Sequence, residues 1–300
     1  MASLISPYWD GILIVMGIQA IAALGFYITF SAGQMSMCHA VFMGIGGYAS
    51  GLISTNTSLP FAIALLSGAI LAAVFGMIVC YPTLHLRHFY LAVATFAWGQ
   101  ILIILAVVTP QIGGALGISG VPLKTSIFNV YLFLAFLVFC FQGLSGSSFL
   151  RSCKAIRKDN ELSSVSGINV AKYRLITFIV GAFICGIAGG FEVHYLSAVQ
   201  PHFYGMFKSV DILFYCIIGG MEIYVGAIFG AFLLTLLPEI LHAVAEWRMP
   251  IYGILLVGIL VFRPQGLIDS RLWDSLIIFL RRSIFLAFKP RKKIDENKIC

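Results

Sequence analysis

The chain has 300 residues, 60% of them apolar and only 10% charged, with a formal net charge of +7. A soluble domain carries roughly 25% charged residues, so this deficit excludes a water-soluble globular fold. Of the 19 basic and 12 acidic residues only Asp10, Arg87 and Lys124 fall in the first 150 positions, and a soluble surface drawn from that half would have nothing to hydrate it.

Apolar stretches of about 20 residues cross a bilayer as helices. In chain order they predict an all-α, polytopic transmembrane helical bundle of about nine spans (eight to ten), near 11–30, 36–55, 60–80, 89–109, 127–144, 173–198, 209–221, 223–242 and 250–263. The 30 glycines suit such a bundle, where neighbouring helices satisfy any loosened backbone. Residues 1–268 then form the membrane domain, with a polar loop at 145–172, and 269–300 a basic, amphipathic tail that lies on the membrane or crosses it weakly. The first ten residues lack the basic stretch of a cleavable signal, so the first span is expected to be retained.

Cytoplasmic loops collect Lys and Arg. Nine spans with the N-terminus outside leave Lys124, Lys208 and Arg248 on the outer side and 16 of the 19 basic residues on the inner side, with a cytoplasmic C-terminus. The positive charge thus follows from topology and anionic lipid, and calls for no nucleic acid. Cys38, Cys80, Cys140, Cys153, Cys185, Cys216 and Cys300 show no metal-binding spacing and read as small apolar residues. His85-x-x-His88 and Glu192-x-His194 are the nearest approaches to catalytic spacing, but no zinc-protease, nucleophile-elbow or phosphate-loop pattern is present. No enzyme activity and no cofactor bound by this chain are expected, so any ATP would be hydrolysed by partner subunits.

Polarity enters the membrane at two glycine-rich places. Gln34, Ser36 and His39 precede Gly44, Gly46, Gly47 and Tyr48, and Gly219-Gly220-Met221-Glu222 precedes Gly226 and Gly230. Small residues let helices touch and polar ones bond across them, whereas paired glycine-broken segments also mark transporter paths. Both readings stand, with Gln34, Ser36, His39, Gly44, Gly219 and Gly220 as the candidate path. Glu192 and His194 fall near the outer end of their span, where a rim position is favoured over a buried proton relay. In the loop, Asp159, Asn160 and Glu161 suit a helix start and Gly167 its end, which predicts a short helix on the cytoplasmic surface.

The chain resembles the permease subunits of branched-chain amino-acid ABC importers, of the LivM type. The likeness rests on 33–48, Tyr90-Leu91-Ala92 with Thr95, Gly113-Gly114 to Gly120-Val121-Pro122, and Ala155-Ile156-Arg157 to Gly167-Ile168-Asn169-Val170. It continues through Tyr173, Gly186, Ala188-Gly189, Gly219-Gly220, Gly226, Gly230-Ala231, Leu237-Pro238-Glu239 and Phe262-Arg263-Pro264-Gln265-Gly266-Leu267. The resemblance implies a bacterial cytoplasmic-membrane protein paired with a homologous LivH-type permease, two ATP-binding-cassette ATPases and an extracytoplasmic substrate-binding protein. It further implies that Arg157, Asp159, Glu161, Gly167 and Asn169 belong to an ATPase-coupling loop, in which Leu162 and Ser163 replace the family's two alanines. Leucine, isoleucine and valine are the implied substrates. An importer of the same class for urea, another amino acid or an amide, or a self-sufficient secondary transporter using Glu192, Asp211 and Glu222, are the alternatives.

Overall fold

The computed structural model describes residues 7–240 apart from Ser58 and Arg87, together with residues 253, 254, 257, 258, 261, 266 and 267. Four long helices open the chain: α1 (Pro7–Ser31), α2 (His39–Asn56), α3 (Phe61–Thr83) and α4 (His88–Val108). Two 3₁₀ turns and a two-residue strand, β1 (Ile118–Ser119), lead into α5 (Ile127–Ser145). The polar loop then forms α6 (Ser148–Lys158) and α7 (Asn160–Val165) before the longest helix, α8 (Val170–Leu196). Strand β2 (Ala198–Val199) pairs antiparallel with β1, and α9 (Met206–Gly219) and α10 (Tyr224–Ile240) complete the described helices.

The centre is α8 laid against α1, α2 and α3. Glycines set the spacing: a Cβ at Gly46 of α2 would run into the Gly186 backbone of α8, and one at Gly68 of α3 into the Gly46 carbonyl. Three backbones therefore meet without side chains between them, the arrangement that van der Waals packing favours where lipid supplies no hydrophobic drive. Around them Phe26, Phe42 and Phe178 are fully buried. By contrast α4 and α5 leave one apolar face each uncovered, with Tyr90, Ile104, Phe128 and Phe139 exposed, as lipid-facing helices do.

Five helices among the described residues are long and apolar enough to cross a membrane: α1, α3, α4, α5 and α8. A sixth crossing is added if the run 201–219 and α10, bent by 118° at 220–223, count together. The nine-span expectation had included α2 and had taken α9 and α10 separately. The helix α2 carries His39, Ser54 and Asn56, and most of it is buried against α3 and α8, so it needs little of the apolar surface that lipid demands. At 14 residues α9 is about 21 Å long, short of a hydrocarbon core of about 30 Å. Much of the span expected near 250–263 lies outside the described residues, although 253, 254, 257, 258 and 261 are helical. The tail 269–300 lies wholly outside them.

The two ends of the bundle are chemically distinct. At one, Tyr8 at the start of α1 donates to the Glu239 carboxylate near the end of α10, and β1 and β2 tie the 110–126 loop to the end of α8. At the other lie α6, α7 and the α1–α2 turn, where Gly33 (φ +75°) packs on the backbone of Arg157.

Candidate functional site

Two caps and one turn shape the loop between α5 and α8. Ser147 accepts from the Leu150 amide at 3.3 Å and starts α6, which buries Leu150, Cys153 and Ile156 at a spacing of three and turns Arg151, Lys154 and Lys158 away from that stripe. Burial pushes the Cys153 thiol up to about 11. Asp159, in an extended conformation, ends α6 and caps α7: its Oδ1 accepts from the amides of Glu161 at 2.9 Å and Leu162 at 3.0 Å. Gly167 (φ +82°) stops α7, with the Gly167 and Ile168 amides bonded back to Ser164 and Ser163. Asn169 caps α8 by accepting from the Lys172 amide at 3.1 Å.

The expected single short helix is thus the second of two. Its start at Asp159 and stop at Gly167 fall where the residue types placed them. On α7, Ser163 is buried while Leu162 and Val165 are 66% and 86% exposed. Two outward apolar side chains, flanked by Glu161, thus stand exposed on this short helix. That exposed pair was readable in the sequence as apolar residues three apart within a polar loop. Arg157 behaves differently from Asp159 and Glu161: it reaches inward and donates from Nη1 to the Met221 carbonyl at 3.0 Å, with its guanidinium 5.3 Å from the centre of the Phe30 ring.

The candidate path residues divide. Gln34, Ser36 and His39 are buried; Gln34 and His39 stitch helices together, and Ser36 bonds locally. His39 Nε2 meets the Thr29 hydroxyl at 3.0 Å, Thr29 donates to the Thr177 carbonyl at 3.3 Å, and Thr177 donates to Gln34 Oε1 at 3.3 Å. Ser36 Oγ accepts from the Cys38 amide at 3.3 Å. Gly219 and Gly220 are also buried, where α9 and α10 touch: a Cβ on Gly226 would lie 2.6 Å from the Gly220 carbonyl. Of the six, Gly44 alone borders a cavity of about 270 Å³, together with Val41, Tyr48, Phe75, Leu102 and Tyr204. Its wall is almost wholly apolar and is drawn from α2, α3, α4 and the 3₁₀ turns Pro110–Ile112 and Pro201–Tyr204.

Glu192 and His194 are not rim residues. His194 is fully buried, with Nδ1 2.8 Å from the Gly190 carbonyl and Nε2 2.8 Å from the Ser54 hydroxyl, so it joins α8 to α2. Glu192 pairs with Lys208 at 2.5 Å. Contacts from other elements cover what the span boundary leaves open: the Phe61 ring packs edge-on against His194 at 4.9 Å, and the Tyr204 hydroxyl donates to Glu192. Glu222 is half-exposed, 3.9 Å from Arg157.

Comparison with known proteins fits this architecture. The chain is 26% identical to the high-affinity branched-chain amino acid transport system permease protein LivM of Escherichia coli (strain K12) over 293 residues, covering 86% of this chain and 68% of that protein. It is 25% identical to the probable branched-chain amino acid transport permease protein LivM of Methanocaldococcus jannaschii over 275 residues, 77% of this chain and 79% of that one. The LivH permease protein of Escherichia coli (strain K12) matches at 24% over 120 residues, 39% of each chain. No solved structure matches. The model of the family described as branched-chain amino acid transport system / permease component matches residues 8–262, and the chain belongs to that family.

Proposed function

We propose that this chain is one of two homologous permease subunits of an ATP-driven importer that carries branched-chain amino acids across the bacterial cytoplasmic membrane. The partner is a LivH-type permease; two separate ATPases bind on the α6–α7 side, and a soluble receptor delivers substrate at the end that carries β1 and β2. The orientation follows the basic residues, since α6 holds Arg151, Lys154, Arg157 and Lys158.

The observation that carries this reading is α7. A six-residue helix with both ends fixed by caps and turns, presenting Leu162 and Val165 outward, is suited to sit in a groove of a soluble partner. ATP closing the ATPases would draw α7 and its counterpart together and tilt the membrane helices, giving alternating access. Substrate would pass between the two permeases, along faces that include the Gly44 cavity. Gln34 and His39 would hold helices together, with Ser36 shaping the turn between α1 and α2, and Gly219 and Gly220 would let α9 and α10 shift against each other.

The test is uptake of labelled leucine and of labelled urea into vesicles that contain the chain with its second permease, ATPases and receptor, with and without ATP. ATP-dependent leucine uptake is expected. Urea uptake instead would replace the substrate, and ATP-independent uptake by the chain alone would replace the importer with a secondary transporter.

A further inference from the structure

The break between α9 and α10 needs something to hold it. At 220–223 the chain leaves helical geometry, Gly220 takes φ +121°, and the flanking helices bend by 118°. The last carbonyls of α9 are taken by backbone amides, Cys216 by Gly220 and Ile218 by Leu267, so it is the unwound carbonyls just beyond the helix that need a side-chain donor. Arg157 supplies one at Met221.

Its guanidinium donates to the Met221 carbonyl at 3.0 Å, lies 3.9 Å from the Glu222 carboxylate, and stacks over Phe30 near the end of α1. Its own backbone rests on Gly33, where an added Cβ would come within 3.1 Å of the Arg157 Cα. Tyr27 of α1 donates to the Glu222 carbonyl at 3.3 Å, closing the same corner from the other side. The Gly266–Leu267 segment covers it, with the Leu267 amide bonded to the Ile218 carbonyl at 2.8 Å. One side chain, two residues before the cap of α7, therefore touches both the end of α1 and the 220–223 break.

We propose that Arg157 is the positioning residue through which displacement of α7 reaches the membrane, by moving the α9–α10 break and the α1–α2 turn as one unit. This rests on the reading that α7 receives force from an ATPase. The buried stripe of α6, Leu150, Cys153 and Ile156, serves as the pivot. A planar guanidinium can hold a carbonyl, face a carboxylate and lie on a ring at once, whereas a lysine ammonium offers only a point contact.

The experiment compares wild type, Arg157→Met and Arg157→Lys in vesicles holding the complete complex, reading leucine taken up per ATP hydrolysed. A residue that only supported the fold would lower both quantities together and leave this ratio unchanged. The ratio is expected to fall about tenfold in Arg157→Met and about threefold in Arg157→Lys, because lysine keeps the charge and loses the fork. A wild-type ratio in Arg157→Met overturns the linkage and leaves the importer reading intact. If Arg157→Met does not assemble, Arg157→Lys decides, and a wild-type ratio there overturns it equally. ATP-independent uptake by the wild-type complex would remove the importer reading first, and this inference with it.

Discussion

Replacing Asp159 by alanine tests whether α7 is a formed helix that function requires. With six residues α7 is too short to persist on its own propensity, since nucleation alone outweighs so few hydrogen bonds. Its tertiary anchoring is small: Ser163 is its one buried residue, and the Ser163 hydroxyl bonds back to the Asp159 carbonyl at 2.7 Å. Most of its definition thus comes from Asp159 Oδ1, which holds two amides at 2.9 and 3.0 Å. Loss of an N-cap costs about 1 kcal/mol, and loss of a negative charge at the helix start about another 0.5 kcal/mol. Together these reduce the ordered population of α7 about tenfold. Asp159→Asn keeps the acceptor and gives up only the charge, for a change of about twofold. Hydrogen exchange of the 160–166 amides in membrane vesicles should therefore rank wild type, Asn and Ala in that order, with ATP-dependent uptake falling in the same order. Equal exchange in Asp159→Ala and wild type would refute the cap as the source of order. Full uptake despite a melted α7 would refute its role in coupling.

Other consequences follow from packing and charge. Gly167→Pro cannot take the +82° φ of that turn, so uptake should be lost while the chain still inserts into the membrane; normal uptake would remove α7 from the mechanism. An added Cβ at Gly189 would strike the Met43 carbonyl, whereas Gly143 faces open space. Gly189→Ala should accordingly destabilise by about 2 kcal/mol and Gly143→Ala should be neutral or slightly stabilising, as read by thermal denaturation of the purified chain. Lys208→Met leaves the largely buried Glu192 carboxylate without its cationic partner, with only the Tyr204 hydroxyl beside it, at about 3 kcal/mol, and adding Glu192→Gln should restore most of the loss; no rescue would mean that Lys208 matters through its packing. With its pKa raised to about 11, Cys153 is about 0.1% thiolate at pH 8. Its alkylation should stay slow at neutral pH and accelerate as pH rises towards 11, and fast labelling at pH 7 would show that α6 opens.

Some of this molecule was legible in its residues because the cause was local. Asp159 and Gly167 bound α7 through their own side chain and backbone freedom, so their types sufficed to place its ends. The apolar stretches behind α1, α3, α4, α5 and α8 are long enough to be read without neighbours. What the residues concealed was set by contacts distant in sequence. Whether Gln34 and His39 line a path or bind helices together depends on Thr29 and Thr177, and the latter lies 143 positions from Gln34. His194 reads as a rim residue because its expected span, 173–198, ends four residues later, yet Ser54 of α2 closes over it. In the same way, Arg157, which the resemblance groups with an ATPase-coupling loop, is tied to the bundle by its contacts with Met221 and Phe30.

These contacts share a physical logic. The α2, α3 and α8 backbones meet at Gly46, Gly68 and Gly186, and a contact made of backbone has no side-chain rotamers to yield, so this trio moves as a block. The α9–α10 corner is built oppositely: its helices also touch through glycine, at Gly219, Gly226 and Gly230, but the chain between them is unwound and its carbonyls are satisfied by side chains from elsewhere, Arg157 and Tyr27. A carbonyl held by a side chain can be exchanged at small cost, whereas one held within a helix cannot be released without unwinding a turn. Motion imposed at α7 should therefore concentrate at 220–223 and leave the α2–α3–α8 block intact. Exchange rates of amides 221–226, compared with those of 182–190 during ATP turnover, would show the contrast. Equal changes in both segments would mean that the whole bundle deforms and that no hinge exists at the corner.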